Sequence, residues 1–347
     1  MKLGMMLTNR CNAACAHCTT QSGPHKGTAL GLPKTLSLMD EAAALTPPGH
    51  SPFFGFSGGE IFLDLEQLLE VVRHGVSLNA DMSCVTNAFW ATTEHRTNAV
   101  IGRLHQAGLK YLAVSTSQYH QRFINITRVR RATLAARAAG IQTLLKIAFS
   151  VEDEQQGLVN QWSEFVEADA VQAIPVTPYI REGVTLPDHS YVRASGLPEG
   201  KCPSPLLTVR EDGAVFSCGS AGAFQPMLQV GTVSESPLEA IADRFNFGAV
   251  QRVLRERGPI HFAQRALAQG QGGRLRHGYA NECDLCAHIA SDAALTRCAL
   301  DSAQEYRVDW AFQLTDRMKM TTDNRTQTRE SQLNAPRRSS DEEEISC

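Results

Sequence analysis

The sequence predicts an α/β protein, a partial (βα)6 TIM-like barrel followed by a small α+β C-terminal unit. Three observations predict it. Six β-like runs recur through the first half, at Leu3–Thr8, Pro52–Phe56, Met82–Thr86, Tyr111–Ser115, Thr143–Val151 and Val171–Val176. Amphipathic segments separate them, among them Leu63–Val76, Asn98–Ala107 and Arg128–Ala139, the last two followed by the C-capping glycines Gly108 and Gly140. Beyond about Pro187 the alternation stops, and Leu206–Ser217 reads as a β-hairpin with Asp212-Gly213 at its turn.

Strands that alternate with helices imply a parallel sheet with crossover helices, and six units are too few for a complete eight-unit barrel. In such folds chemistry gathers at the C-terminal ends of the strands, so the residues just after each run are the candidates. A chain of 347 residues that is 43% hydrophobic can bury a main core and a smaller companion. The expected division is a barrel over 1–186, a second domain over 187–300 and a helical segment over 301–320. A polar, disordered tail is expected over 321–347. Within the second domain, Leu238–Arg257 reads as one helical piece. The glycine-rich loop at 270–274 lacks the Gly-Lys-Ser/Thr ending of a phosphate-binding loop.

A net charge of −3 and a pI near 6.4 argue against nonspecific attraction to nucleic acid or an anionic membrane. No apolar run approaches the ~18–20 residues of a membrane span, and the N-terminal apolar patch is too short for a secretory signal. A cytoplasmic location is expected, where thiols stay reduced. The ten cysteines then need a reason other than disulfides.

Cys11, Cys15 and Cys18 form C-x3-C-x2-C directly after the first run. Three thiolates on one short loop can each bind one iron of a cubane 4Fe–4S cluster, leaving the fourth iron open for a ligand. Plain buried thiols are one alternative; zinc, with His17 or His25 as fourth ligand, is the other. The zinc reading leaves unexplained a second motif, Ser57-Gly58-Gly59-Glu60, placed directly after the second run. Together the two motifs resemble the radical S-adenosylmethionine (radical SAM) superfamily over roughly residues 3–180. The resemblance implies that Cys11, Cys15 and Cys18 hold the cluster and that S-adenosylmethionine binds its open iron. It places Gly58, Gly59 and Glu60 at the methionyl amino group, the glycines allowing close backbone approach and Glu60 adding an acceptor for the ammonium or ordering the loop. It places His17 near the adenine, and Asn87, Ser115 and Ser117 near the methionine carboxylate and ribose. The implied chemistry is reductive cleavage to a 5′-deoxyadenosyl radical that abstracts hydrogen. An external one-electron donor such as flavodoxin or ferredoxin would feed it.

A second group comprises Cys202, Gly213, Cys218 and the Cys283-Asp284-Leu285-Cys286 pair. Its spacing resembles the SPASM and twitch extensions of that superfamily, shortened to a twitch-like form. The resemblance implies one auxiliary 4Fe–4S cluster on Cys202, Cys218, Cys283 and Cys286, and a structural zinc in the same thiolates is the alternative. Cys298 is open to three roles: substitute ligand, thiol that returns hydrogen to a substrate radical, or buried apolar residue. Cys84 reads as core and Cys347 as a tail residue without a role. Tyr119, His120, Arg181 and Glu182 could line a substrate cavity, or serve packing and solvated-loop roles.

Three functions follow from these readings. The first is a radical SAM enzyme that modifies a ribosomally made peptide. Because the chain begins almost at the first strand, its leader would be held by a separate recognition protein or by the cavity. The second is a small-molecule dehydrogenase or carbon–carbon bond-forming enzyme. The third is a non-catalytic iron–sulfur or zinc scaffold.

Overall fold

The computed structural model describes residues 1–308, apart from 152–156, 158–159, 163–165, 168–169, 204, 221 and 223. Strands β1 (Lys2–Thr8), β2 (Phe53–Gly58), β3 (Asp81–Thr86), β4 (Tyr111–Thr116), β5 (Gln142–Phe149) and β6 (Val171–Pro175) run parallel in chain order. Helices α1 (Leu32–Ala44), α2 (Leu65–Ser77), α3 (Glu94–Ala107), α4 (Gln118–Gln121) and α5 (Ile126–Ala138) lie between successive strands. All six expected runs are strands. Gly108 and Gly140 close α3 and α5 at φ 93° and 81°, the left-handed geometry that favours glycine.

Strand alternation divides the side chains between two faces. Leu3, Met5, Met82, Cys84, Leu112, Val114, Leu145 and Ile147 pack with Leu68, Leu69, Leu104 and Val129 of the helices into the main core. Cys84 is completely buried there, and burial pushes its thiol far up, as a core residue requires. The alternate positions, including Ser115, Lys146 and Ala148, face the opposite side. There Ala148 packs in a smaller cluster with Cys15, Tyr119 and Val176.

The expected hairpin forms as β8 (Leu207–Val209) and β9 (Ala214–Phe216), preceded in the chain by the two-residue β7 (Ala194–Ser195). It does not stand apart from the barrel. β8 pairs parallel with β1, and β9 and β10 (Gln229–Thr232) continue antiparallel, giving the order β10-β9-β8-β1-β2-β3-β4-β5-β6. The sheet therefore runs across the boundary expected near residue 186. An unpaired β1 edge would leave a row of open backbone groups, and the hairpin satisfies them. Gly4 permits the approach, since a Cβ there would already lie 3.1 Å from Thr208 Oγ1.

A second core gathers Phe216, Phe262, Tyr279, Leu285, Leu295 and Ala299, and Tyr279 belongs to β11 (Gly278–Tyr279), which pairs with β7. The single helix expected over Leu238–Arg257 is two, Leu238–Phe247 and Ala249–Glu256. Gly248 breaks it with an extended ψ of 138°, at a point where a Cβ would lie 2.4 Å from Arg244 O. Helix also runs over 293–308, so the segment expected at 301–320 begins inside it; the rest of that segment, the tail and Cys347 lie outside the described residues. Among the described residues no helix is long and apolar enough to cross a membrane.

Candidate functional site

The loop leaving β1 carries Cys11, Cys15 and Cys18, with Cys15 buried and the other two half-buried. Donors already point at the sulfurs. Ala13 N donates to Cys11 Sγ at 3.4 Å, Asn87 Nδ2 approaches the same sulfur at 3.9 Å, and Thr20 Oγ1 lies 3.3 Å from Cys18 Sγ. Such donors stabilise thiolate charge and tune a bound cluster. Burial works against them, pushing the Cys11 thiol up to about 11 and Cys15 to about 12. These thiols hold their protons at neutral pH until a metal displaces them. Iron retention against a chelator should therefore weaken as pH falls from 8.5 to 6.5, by about tenfold per pH unit for each proton released. Retention that is flat with pH would contradict this.

The Gly-Gly-Glu turn grips the base of that loop. Gly59 N donates to Thr8 O at 2.6 Å and Glu60 N to Arg10 O at 2.9 Å. A Cβ on Gly58, whose φ is 133°, would lie 2.3 Å from Thr8 O, and one on Gly59 would lie 2.1 Å from Arg10 O. The expectation was close approach to a ligand; the approach seen is of the chain's own backbone, just before Cys11. Glu60 likewise orders structure. Its Oε1 accepts from Phe62 N at 3.2 Å and Thr86 Oγ1 at 2.9 Å, and its Oε2 from Asn87 N at 2.7 Å. Full burial raises its pKa to about 7 against these bonds. Both oxygens tie the end of β2 to the end of β3, the loop-ordering role expected of Glu60 as the alternative to an ammonium contact.

The remaining candidates divide. Asn87 donates to Asn12 Oδ1 at 3.0 Å, so its amide faces the cysteine loop. Ser117 caps α4, accepting from His120 N at 3.1 Å and sitting 2.8 Å from His120 Nδ1. Ser115 pairs in register with Lys146 on the face opposite the main core. His17 stacks on Tyr119 with ring centroids 5.0 Å apart and meets His120 edge-on at 4.6 Å. Burial pushes His17 down to about 3 and His120 to about 4, so both rings are neutral plates. His25, the other candidate for a zinc ligand, is exposed.

Residues 5–154 match the model of the Radical SAM superfamily. The chain carries a radical SAM domain. A curated relative, "Putative peptide biosynthesis protein YydG" of Bacillus subtilis (strain 168), is 20% identical over 263 residues, covering 73% of this chain and 79% of that protein. The solved structure "Native anSMEcpe with bound AdoMet and Cp18Cys peptide" matches with TM-score 0.56 and 12% identity, over 91% of this chain and 99% of that one. "Native anSMEcpe with bound AdoMet" matches with TM-score 0.53 and 13% identity, over 92% and 100%. At these identities the likeness to the solved structures is one of fold.

One residue near the site has no place among the sequence expectations, and a second, Arg181, has a role other than the two expected of it. Lys146 lies in the apolar run of β5, on the face of Ser115 and Ala148, with no hydrogen bond or ion pair among the described residues. Burial holds its ammonium below the usual lysine range. A lone lysine inside such a run was the available signal. Arg181, left undecided between cavity and solvent, clamps the cysteine loop. Its Nε donates to Cys15 O at 3.0 Å, its Nη2 bonds Ser22 O, and its backbone N donates to Ala16 O at 3.2 Å. Glu182 N donates to Gln21 Oε1 at 2.7 Å beside it.

Outside the radical SAM domain, Cys202, Cys218, Cys283 and Cys286 line one cavity of about 40 Å3. The hairpin brings the first two together, since Cys202 precedes β8 and Cys218 follows β9. The other two lie on the first turns of helix Glu282–Ser291, capped by the Asn281 side chain accepting from Asp284 N at 3.1 Å. Ser220 N donates to Cys218 Sγ at 3.2 Å. Burial pushes Cys283 up to about 11 and Cys286 well above its ordinary value. Among the described residues no three His, Cys, Asp or Glu side chains converge as a single metal ion requires. The four thiols ring a space.

Cys298 is 5% exposed, packed in the second core with Leu295 and Ala299, and lines neither of the cavities beside the cysteines. Its position is that of a buried apolar residue, one of the three roles the sequence left open. Cys298→Ala should cost about 1 kcal/mol of stability. Its iron content and 5′-deoxyadenosine yield should match wild type, and a lost yield in a folded variant would restore the catalytic reading.

Proposed function

We propose that this chain is a radical SAM enzyme that modifies a peptide, with an auxiliary 4Fe–4S cluster on its second cysteine group. The observation that carries the reading is the cysteine loop itself. Three thiols on one short loop, clamped by Arg181 and braced by the Gly-Gly-Glu turn, fit a cubane with one iron left open. When bound and reduced, a 4Fe–4S cluster with S-adenosylmethionine on that iron supplies a 5′-deoxyadenosyl radical.

The chain's own residues hold and shield that chemistry. Neutral His17, backed by Tyr119, offers a flat apolar face to an adenine ring. Lys146, without a partner among the described residues, offers a cation to a carboxylate. Asn87 holds its amide against Cys11 and Asn12, fixing the approach to the loop. The four-thiol cavity suits a fully ligated cluster, able to pass an electron without binding substrate. Peptide modification draws support from the printed name of the YydG relative and from the peptide bound in the anSMEcpe structure. An external one-electron donor and a separate recognition protein for the peptide belong to the same reading.

Anaerobic reconstitution tests it, with iron, sulfide and zinc counted and 5′-deoxyadenosine measured after dithionite. About eight irons are expected per wild-type chain, and about four in the Cys283→Ala/Cys286→Ala variant. Four irons plus one zinc in wild type would replace the auxiliary cluster with a structural metal. No 5′-deoxyadenosine from fully loaded protein would overturn the radical chemistry. For the substrate class, loaded protein is incubated with a pool of short peptides and their masses followed; modification of small aminated or hydroxylated compounds alone would move the assignment to small molecules.

A further inference from the structure

A second cavity, of about 480 Å3, lies between the cysteine loop and the hairpin. It falls within the ~300–1,000 Å3 typical of ligand pockets. Its wall is assembled from stretches far apart in sequence: Asn9 at the exit of β1, 19–21 directly after Cys18, 178–180 after β6, and Arg210 with Glu211 at the hairpin. Gly222 lines both this cavity and the one ringed by the four cysteines, so the space lies between the two cysteine groups.

Glu211 sets the chemistry of this space. The residue is 5% exposed, its Oε1 accepts from Asn9 Nδ2 at 3.3 Å, and its Oε2 is buried with no hydrogen-bond partner. A buried carboxylate oxygen without a donor is costly, and folded proteins retain few of them. The nearest cation does not answer it. Arg210 lies 3.7 Å from Oε1 but 3.1 Å from Asp212, and its guanidinium lies over the neighbouring Phe216 and Phe224 rings, 5.8 and 5.3 Å from their centroids. Lys26, also on the wall, is exposed, and water screens its charge. A donor that carries positive charge would satisfy Oε2 best, because charge-assisted hydrogen bonds are the strong ones. Tyr179 and Phe224 supply aromatic surface for the stem of a long side chain.

We propose that this cavity receives the cationic side chain, Arg or Lys, of the peptide on which the chain acts, with Glu211 as its counter-charge. The inference rests on the peptide reading above, and adds a residue that selects among peptides.

The test uses the full reconstituted chain and two probes, acetyl-Gly-Arg-Gly-amide and its citrulline twin, which has nearly the same shape without the charge. Equilibrium dialysis should show the arginine peptide binding roughly ten- to a hundredfold more tightly to wild type. Glu211→Gln, which keeps an acceptor for Asn9, should bring the ratio close to one. Equal affinities in wild type, a ratio that survives in Glu211→Gln, or no binding of either peptide at millimolar concentration would each overturn the proposal. The wild-type comparison stands even where the variant folds poorly. Agmatine binding as tightly as the arginine peptide would overturn a peptide as the source of the cation. Peptide-free 5′-deoxyadenosine formation by the same preparation separates failure of this pocket from failure of the radical reading.

Discussion

Cys15→Ala is expected to lower 5′-deoxyadenosine formation by a hundredfold or more while leaving about four irons on the chain. Cys15 is the most buried of the three loop cysteines, and its carbonyl is the one Arg181 holds. Removing its thiol leaves two of the three loop ligands for the cubane. The irons that remain should belong to the second cysteine group. Combining Cys15→Ala with Cys283→Ala/Cys286→Ala should therefore remove them. A variant lacking Cys15 that still forms 5′-deoxyadenosine at the wild-type rate would remove the basis for the functional reading.

Gly59→Ala should be nearly as damaging, though it deletes no ligand. Its Cβ would lie 2.1 Å from Arg10 O and 2.5 Å from Arg10 C. Both are backbone atoms, which cannot rotate away, so the turn and the cysteine loop must separate. That also breaks the bonds from Gly59 N to Thr8 O and from Glu60 N to Arg10 O. The expected cost is about 2 kcal/mol or more, with iron retention at the first site falling tenfold or more. Gly102→Ala is the control. Gly102 lies within α3 with nothing within 4 Å of a Cβ, and alanine there should stabilise by up to about 1 kcal/mol. Matching behaviour of the two variants would show that the turn does not brace the loop.

How far these features could be read from sequence depended on how local they are. The six parallel strands were legible because each is a short apolar run bounded by turn residues, and Gly108 and Gly140 announce the helix ends within one residue. The cysteine spacings were legible for the same reason. What escaped was set by partners distant in the chain. Nothing within 207–209 states that this strand will pair with β1, some two hundred residues earlier. Gly58 and Gly59 announce a close approach without naming what approaches, and the neighbour proved to be main chain at 8–10. Glu60 and Ser117 carry the right chemistry for ligand contact, and which local donors they also bind depends on loop geometry that spacing does not give. Lys146 was hidden by the apolar residues around it, and Arg181 by a loop whose path the sequence does not fix. Gly248 ended a helix that periodicity alone would have carried through.

The pairing of β8 with β1 bears on how the molecule comes apart. Cys202 and Cys218 flank a hairpin whose first strand is bonded to the strand that delivers Cys11, and Asn9 and Glu211 add a side-chain link beyond the strand ends. Strands joined in one ladder tend to open together. Cys11 and the flanking Cys202 and Cys218 thus adjoin one ladder, and ordering that a metal imposes at either loop would pass to the other through the backbone. Assembly of either site would preorganise its neighbour, and oxidative loss of one would loosen the hold on both.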